Sequence, residues 1–416
     1  MSTPDLRTLI RVFGRIGLLS FGGPAAQIAL MHRELVEDRP WLSEQGFLRA
    51  LSLCMLLPGP EAMQLATYAG WRMRGVLGGI IAGLLFVVPG ALIILALALG
   101  YAVYGQMPLV QAAFLGVKAT VIVIVVQALM KVARKALTGP SAWALAGLAF
   151  LALFVLGLPF PLIIAAAAIY GYATASTAAA PDPETIAGAA PRTLWTVAIW
   201  GGLWAAPLLL LALIDQAFLL QIGFFFSKLA VVTFGGAYAV LAYMTQTVVA
   251  DYAWITTQEM IDALGLAETT PGPLILVTEF VALLAGFAQS GVSGAVAAGA
   301  VALWVTFTPC FLWIFTAAPY LDLLATRPRL SAALQSITAA VVGVILNLSV
   351  WFALHVIFRE VTPAGWLAVP LPQPKTLDLG ALGLSILAAL LLLGAKRGMV
   401  ETLAILALAG MGISLL

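Results

Sequence analysis

Long apolar runs constrain this chain more than any other feature, because their number and length call for a membrane as the surrounding solvent. A run of roughly 20 apolar residues is enough to cross the hydrocarbon core of a bilayer as a helix. The runs cover residues 75–104, 107–130, 141–157, 160–175, 193–214, 217–234, 273–289, 292–318, 331–358, 378–395 and 399–416. The sequence therefore predicts an all-α, multi-pass membrane protein.

The composition excludes several other classes of protein. Only 9% of the 416 residues are charged and 62% are hydrophobic, whereas an ordinary soluble domain has about 25% charged residues. The net charge of +2 gives no support to a nucleic-acid partner. Two cysteines, Cys54 and Cys310, predict neither a disulfide framework nor a metal site. The N-terminal segment has arginines scattered through its apolar residues and no cleavage site, so it is not predicted to be a signal peptide.

An internal repeat divides the chain into two related halves. Residues 13–60 align with residues 226–273 without a gap at an offset of 213, and 17 of the 48 positions are identical. The matches include Phe-Gly-Gly, a tryptophan and Pro-Gly-Pro, which are uncommon in an apolar chain. Two further aligned pairs are similar in chemistry, namely Arg15 with Lys228 and Ser20 with Thr233. The repeat predicts two homologous domains, residues 1–175 and 193–416, joined by a polar linker at 176–192.

Charge bias indicates how the two copies are oriented. Residues 13–74 contain six basic residues, whereas residues 226–287 contain one. Because basic residues favour the cytoplasmic side, the copies are predicted to face opposite ways as an inverted repeat. The alternative is a parallel duplication whose second copy lost its basic residues.

In each copy a short helix is predicted to end at Pro-Gly-Pro, where a second helix begins. The short helices cover 43–57 and 256–270, with Ser43 and Thr256 as N-caps, and Glu259 completes a capping box in the second copy. An arm of about 14 residues spans about 21 Å, which is short of a core of about 30 Å. The pattern therefore favours broken or re-entrant helical hairpins over two full crossings.

Helix starts inside a membrane favour an anion, because their unpaired N–H groups and positive dipole ends meet there. Two such starts, related by the repeat, are predicted to converge near the midplane, with the Gly-Gly pairs allowing close backbone approach. Each feature alone has a plainer explanation: a packing contact for Gly-Gly, a kink for Pro-Gly-Pro, and snorkelling for Arg15. The candidate substrate-binding residues are Arg15, Ser20, Gly22, Gly23, Pro58, Gly59, Pro60, Gln64, Lys228, Thr233, Gly235, Gly236, Pro271, Gly272 and Pro273.

Acidic residues near these motifs are candidates for proton coupling, because burial favours the neutral form of a carboxyl group. A carboxylate at a helix start can instead be a simple cap on the dipole. Lys118, inside an apolar run, is a further buried charge that either acts in transport or pairs with an acid structurally. The proton-coupling candidates are Glu61, Glu268 and Glu279.

The same blocks resemble the chromate ion transporters, in the long form with two domains. The resemblance rests on residues 21–90, from FGGPAAQIALMHREL to LLPGPEAMQLATYAG and beyond, and on residues 224–287, with FFFSKLAVVTFGG and ETTPGPLILVTEF. It implies export of chromate across the bacterial inner (plasma) membrane and resistance to chromate, with sulfate as an analogue of the same shape and charge. Members of the family often carry a small hydroxyl residue after the first Pro-Gly-Pro, where this chain has Glu61.

Other classes of function fit the sequence less well. An intramembrane enzyme would call for a His-Glu-x-x-His, clustered histidines or a Ser/Lys pair, and the chain has two isolated histidines. A membrane scaffold would not explain paired broken helices with opposite charge bias. The sequence predicts a transporter without cofactor, with lipid as its surroundings, and leaves open sulfate or another oxyanion as substrate and a homodimer as assembly.

Overall fold

The computed structural model describes residues 4–175, 189–234, 237–321, 328–363 and 369–414. The predicted linker at 176–192 lies outside the described part except for the backbone of its last few residues, and Gly235 and Gly236 also lie outside it. The helices are α1 Leu6–Leu19, α2 Gly23–His32, α3 Glu44–Leu56, α4 Glu61–Tyr104, α5 Pro108–Ala136, α6 Pro140–Phe154, α7 Phe160–Thr174, α8 Ala189–Leu213, α9 Ala217–Val232, α10 Ala237–Gln246, α11 Thr257–Thr269, α12 Val277–Ala317, α13 Pro328–Ile357, α14 Leu379–Ala389 and α15 Met399–Ser414.

Short elements extend or connect these helices. One π-helical turn continues α2 and another continues α10, at Arg33–Glu37 and Thr247–Asp251, and a third, Leu390–Gly394, extends α14. One 3₁₀ turn, Leu274–Leu276, leads into α12. The strands β1 Val361–Pro363 and β2 Pro370–Pro372 pair antiparallel. Two more 3₁₀ turns are Ala318–Tyr320 and Pro374–Thr376.

The helical, multi-pass fold predicted from the apolar runs is confirmed. Among the residues that the structure describes, five helical segments are long and apolar enough to cross a membrane, and several shorter apolar helices accompany them. The five are Glu61–Tyr104, Pro108–Ala136, Thr193–Leu213, Leu274–Tyr320 and Pro328–Ile357.

The broken hairpins also match the sequence. The helices predicted at 43–57 and 256–270 are α3 and α11, and they occupy the same positions of the repeat. The Ser43 hydroxyl accepts from the N–H of Gly46 at 3.1 Å, so the predicted N-cap is confirmed. Thr256 and Glu259 form the predicted capping box, in which each accepts a hydrogen bond from the backbone N–H of the other.

Both copies also share a break inside the long helix that follows Pro-Gly-Pro. In α4, Gly75 has φ 62° and ψ −157°; in α12, Gly291 has φ 64° and ψ −147°. The residue before each glycine is also non-helical, so each long helix is two arms joined at a glycine. The first arm of α4 is therefore short, from Glu61 to residue 73, which agrees with an apolar run that begins at residue 75.

The described chain forms two compact units. The first contains residues 1–99, 176–237 and 270–331, and the second contains residues 100–175, 238–269 and 332–416. In the first unit α12 packs against α8 and α9. In the second unit α5 packs against α11, α14 and α15, and Gly116 lies directly against the backbone of Leu406, as expected where small residues let membrane helices approach.

Candidate functional site

Two reciprocal hydrogen bonds join the repeats within the first unit. The N–H of Gly59 donates to the carbonyl oxygen of Thr233 at 2.8 Å, and the N–H of Gly272 donates to the carbonyl oxygen of Ser20 at 2.9 Å. Gly59 and Gly272 are equivalent in the repeat, and so are Ser20 and Thr233. Each Pro-Gly-Pro loop therefore binds the end of the helix that precedes Phe-Gly-Gly in the other copy.

The chemistry of Pro-Gly-Pro explains why the glycine makes this contact. Proline has no backbone N–H, so the glycine supplies the one donor of the tripeptide, and a buried donor needs an acceptor. Gly59 has φ +117° and Gly272 has φ +93°, a region that other residues rarely adopt. A Cβ atom on Gly59 would lie 2.9 Å from Gln64 Nε2 and 3.1 Å from Cys310 Sγ, which is closer than side chains pack. The loop thus needs glycine both for its backbone and for space.

The ends of α1 and α9 present their carbonyl groups to these loops. Ser20 and Thr233 are buried, and their hydroxyls donate to carbonyl oxygens one turn earlier, at 2.6 Å and 2.5 Å. The side chains therefore bond within their own helices, while the main-chain oxygens accept from the loops. Gly22 and Gly23 follow Ser20 with φ 84° and 75° and turn the chain into α2.

Two buried glutamines bind the loops through their amide groups. Gln27 Nε2 donates to the carbonyl oxygens of Gly272 at 2.6 Å and Ser20 at 3.2 Å. Gln64 Nε2 donates to the carbonyl oxygen of Pro58 at 2.6 Å. Within the described residues, the Oε1 atoms of both glutamines are buried without a hydrogen-bond partner. Gln64 was a candidate from the sequence, whereas Gln27 was missed; a glutamine in an apolar stretch just after Gly-Gly was the available signal.

The two predicted cations lie on the helices that end at these loops. Arg15 on α1 is 57% exposed, and its Nη1 lies 3.4 Å from Oε1 of the buried Glu34. Arg39 also pairs with Glu34, at 2.5 Å, so the three side chains together carry one net positive charge. Lys228 on α9 is exposed. The structure therefore places Arg15 against a carboxylate.

The three candidate carboxylates have different surroundings. Glu61 is the first residue of α4 and is half-buried. In the second unit, buried Glu268 accepts a hydrogen bond from the hydroxyl of Tyr238 at 2.7 Å. Glu279, in the first unit, is 3% exposed, and its Oε2 atom has no hydrogen-bond partner among the described residues.

Two helix starts beside these loops have no side-chain cap from the residue that precedes them. Gly22 precedes α2 and Pro273 precedes the 3₁₀ turn, and neither makes a side-chain cap hydrogen bond. Such N-termini suit an anion through their N–H groups and dipole. Over the described ranges no three His, Cys, Asp or Glu side chains are grouped to hold a metal ion. The arrangement offers binding groups for a small anion.

A helical membrane protein in which two copies of a broken-helix motif meet at shared loops has the architecture of a membrane transporter. The sequence model of the family described as "Chromate transporter" matches residues 7–172 and 220–413, and the chain belongs to this family. Membership confirms the resemblance found in the sequence, the prediction of a transporter in preference to an enzyme, and the location as a multi-pass protein of the bacterial inner membrane. The two matched segments also agree with the internal repeat.

Curated relatives agree with the family over most of the chain. A chromate transport protein of Pseudomonas aeruginosa is 34% identical over 358 residues, covering 83% of this chain and 80% of the relative. A probable chromate transport protein of Synechococcus elongatus is 33% identical, covering 82% and 83%. A chromate transport protein of Cupriavidus metallidurans is 31% identical, covering 82% and 81%. No solved structure shows a significant match to this chain.

Proposed function

We propose that this protein exports chromate from the bacterial cytoplasm across the inner membrane and thereby confers resistance to chromate. The names of its relatives support the substrate. The observation that carries the proposal is the reciprocal pairing of Gly59 with Thr233 and of Gly272 with Ser20. This pairing supports a binding site made jointly by both copies.

The proposed site lies where the two Pro-Gly-Pro loops meet the ends of α1 and α9. The helix starts beside the loops would bind the oxyanion, while the loop glycines join the two copies and Gln64 holds the first loop in shape. Arg15 and Lys228, one to two turns before the helix ends, would raise the local positive potential. The proposed domains remain residues 1–175 and 193–416 with the linker 176–192, arranged as an inverted repeat, because the basic residues concentrate in the first copy.

The membrane potential alone is large enough to drive this export. A charge that crosses 100 mV gains about 2.3 kcal/mol. A dianion that leaves a cell at about −150 mV therefore gains roughly 7 kcal/mol, which corresponds to a concentration ratio near 10⁵. Coupling to protons would add to this driving force, and Glu61, Glu268 and Glu279 are the candidates from the sequence.

Uptake of labelled chromate into everted membrane vesicles tests the proposal. Vesicles with the protein should accumulate chromate when a lumen-positive potential is imposed, and vesicles from cells without it should not. Sulfate is measured in parallel and as a competitor, because it has the same shape and charge. Absence of chromate uptake would refute the proposal, and faster transport of sulfate than of chromate would assign the site to another oxyanion.

A further inference from the structure

A cavity of about 390 Å³ lies within the second unit, at the ends of several of its helices. It is bounded by the end of α6, by α10 with the π-helical turn that follows it, by the start of α11 and by the last turns of α13. The paired strands β1 and β2 form part of its rim. Because α13 is long enough to cross a membrane and ends at Ile357, the cavity lies near one boundary of the hydrocarbon core.

The walls of the cavity combine apolar side chains with uncharged polar groups. Leu153, Phe154 and Leu348 are among the apolar ones. Among the described residues that line the cavity, none is Asp, Glu, Lys or Arg. Arg359, just beyond α13, is exposed and bonded to Asp378. A charged ligand would have no partner of opposite charge here, and burying an unpaired charge is costly. The walls therefore suit an uncharged ligand with apolar surface and hydrogen-bonding groups.

Three polar side chains of α13 form one stripe along the cavity, because Asn347, Trp351 and His355 are spaced four residues apart. Nδ1 of His355 lies 2.8 Å from the carbonyl oxygen of Trp351. A carbonyl oxygen only accepts, so Nδ1 carries the hydrogen and donates it. In the neutral imidazole Nε2 is then an acceptor, and it is directed away from the bond that Nδ1 makes.

The polar groups of this stripe are available to a ligand. Within the part of the chain that the structure describes, the amide of Asn347, Nε1 of Trp351 and Nε2 of His355 make no hydrogen bond, and all three side chains are half-buried. The indole and the imidazole stack with ring centroids 4.3 Å apart, which holds the ring of His355 in place. Polar groups on a membrane helix are costly unless water or a ligand satisfies them.

The spacing of the stripe selects the shape of the ligand. Asn347 and His355 are separated by about 12 Å along the helix axis, and the flat indole of Trp351 lies between them. A flat ring with an oxygen atom at each end matches this order, since one hydroxyl donates to Nε2 while the oxygen at the other end bonds the amide of Asn347. The faces of such a ring pack against aromatic and apolar walls.

We propose that this cavity binds a hydroquinone-type ring, an uncharged aromatic ring with hydroxyl groups at opposite ends. His355 accepts from one hydroxyl, and Asn347 bonds the other. Such a ring is the head group of a membrane quinol and also occurs in soluble compounds. The oxidised form, a quinone, has carbonyl groups in place of the hydroxyls and cannot donate to Nε2, so the site favours the reduced form. The inference concerns a second site and does not depend on export of chromate.

The test measures binding to the full-length protein in lipid nanodiscs at pH 8, where an imidazole of ordinary pKa is neutral. The probes are a ubiquinol with a single isoprene unit, the corresponding ubiquinone and the dimethyl ether of the quinol, titrated under argon in a calorimeter. Nanodiscs without protein correct for partition into lipid. The quinol should bind about five- to tenfold more tightly than the quinone or the ether, because each lacks the donor for Nε2. Equal binding of the three, or no quinol binding above that of empty nanodiscs, would overturn the proposal.

Three variants assign the binding groups. His355→Phe keeps an aromatic ring beside Trp351 but removes Nε2, so the quinol should lose its advantage over the quinone. Asn347→Leu removes the amide at similar size and should weaken both ligands several-fold. His32→Gln is the control, because His32 lies in the first unit, bonded to Glu44, and the preference should persist. The preference persisting in His355→Phe, its loss in His32→Gln, or full affinity in Asn347→Leu would each contradict the assignment. If His355→Phe fails to insert, the comparison of quinol with quinone on the wild-type protein still decides the proposal.

The quinol head group without its isoprene tail distinguishes the two sources of the ring. Weaker binding of the tail-free quinol would identify a membrane quinol, because the tail adds apolar contact with the protein. Equal binding would identify a soluble hydroquinone, and both results support the ring site. Chromate uptake is measured separately, so absence of quinol binding leaves the proposed function standing, and absence of chromate uptake leaves the quinol site standing.

Discussion

Replacing Gly59 with valine tests most directly the hydrogen bonds that the two copies exchange at the Pro-Gly-Pro loops. The residue has φ +117°, and a non-glycine residue in the left-handed region costs roughly 1–2 kcal/mol. The added side chain would also press on Gln64 and Cys310, and overpacking a tight site costs typically 1–3 kcal/mol. The loop conformation that binds Thr233 is therefore destabilised by about 2–5 kcal/mol, which lowers its equilibrium ratio to other loop conformations at least 25-fold.

Chromate uptake into everted vesicles should fall by as much as this ratio does in Gly59→Val, while the amount of protein in the membrane stays close to that of the wild type. Gly272→Val should behave in the same way, because Gly272 has φ +93° and its Cβ would lie 3.0 Å from Leu276 Cδ1. Gly147→Val is the matched control, because Gly147 is a helical glycine with open space around it. Unchanged uptake in both loop variants, with Gly147→Val also active, would refute the argument.

Two further predictions concern charged groups. Arg15→Ala and Lys228→Ala should each raise the KM for chromate several-fold at an unchanged protein level. Arg7→Ala should not, because Arg7 lies two turns further from the loops. Equal effects in all three variants would indicate a general role of these cations in orienting the protein in the membrane. The hydrogen bond that His32 Nε2 donates to the carboxylate of Glu44 raises the pKa of His32 above its usual value of 6.5, and desolvation opposes this shift. This bond contributes its full stabilisation below about pH 6.5, and the contribution is lost as the pH rises through the pKa of His32 in the folded protein. The thermal melting temperature should therefore fall more between pH 6 and 8 in the wild type than in His32→Gln. Equal changes of melting temperature with pH in the two proteins would contradict this prediction.

Much of the fold was predictable because it follows from local patterns. The spacing of Pro-Gly-Pro and of the capping residues gave the bounds of α3 and α11 to within a residue, and the start of an apolar run at residue 75 marked the break in α4. Comparison of the repeats identified Ser20, Thr233 and the loop glycines as related pairs. The inverted orientation stays a prediction from the distribution of basic residues.

The contacts across the site were less predictable, because they join residues far apart in the chain. Gln27 donates to a carbonyl 245 residues away, and nothing near it in the sequence indicates that partner. Arg15 pairs with Glu34, which no repeat match identifies, since the equivalent of Glu34 is Thr247. Asp262, whose buried carboxylate lies 2.9 Å from Nζ of Lys118, could have been singled out from the sequence by asking where the two copies differ in charge, as well as where they agree.

The exchange of hydrogen bonds between the loops and the helix ends has a consequence for how such a chain can change during evolution. Because each copy completes the main-chain bonding of the other, neither half is self-sufficient at this point. A substitution that moves one loop must be matched by a change in the opposite half, so the copies are free to diverge in their outer helices but remain tied at Pro-Gly-Pro and at the residues before Phe-Gly-Gly. The two copies of the motif should therefore change together during evolution, as one structural unit does.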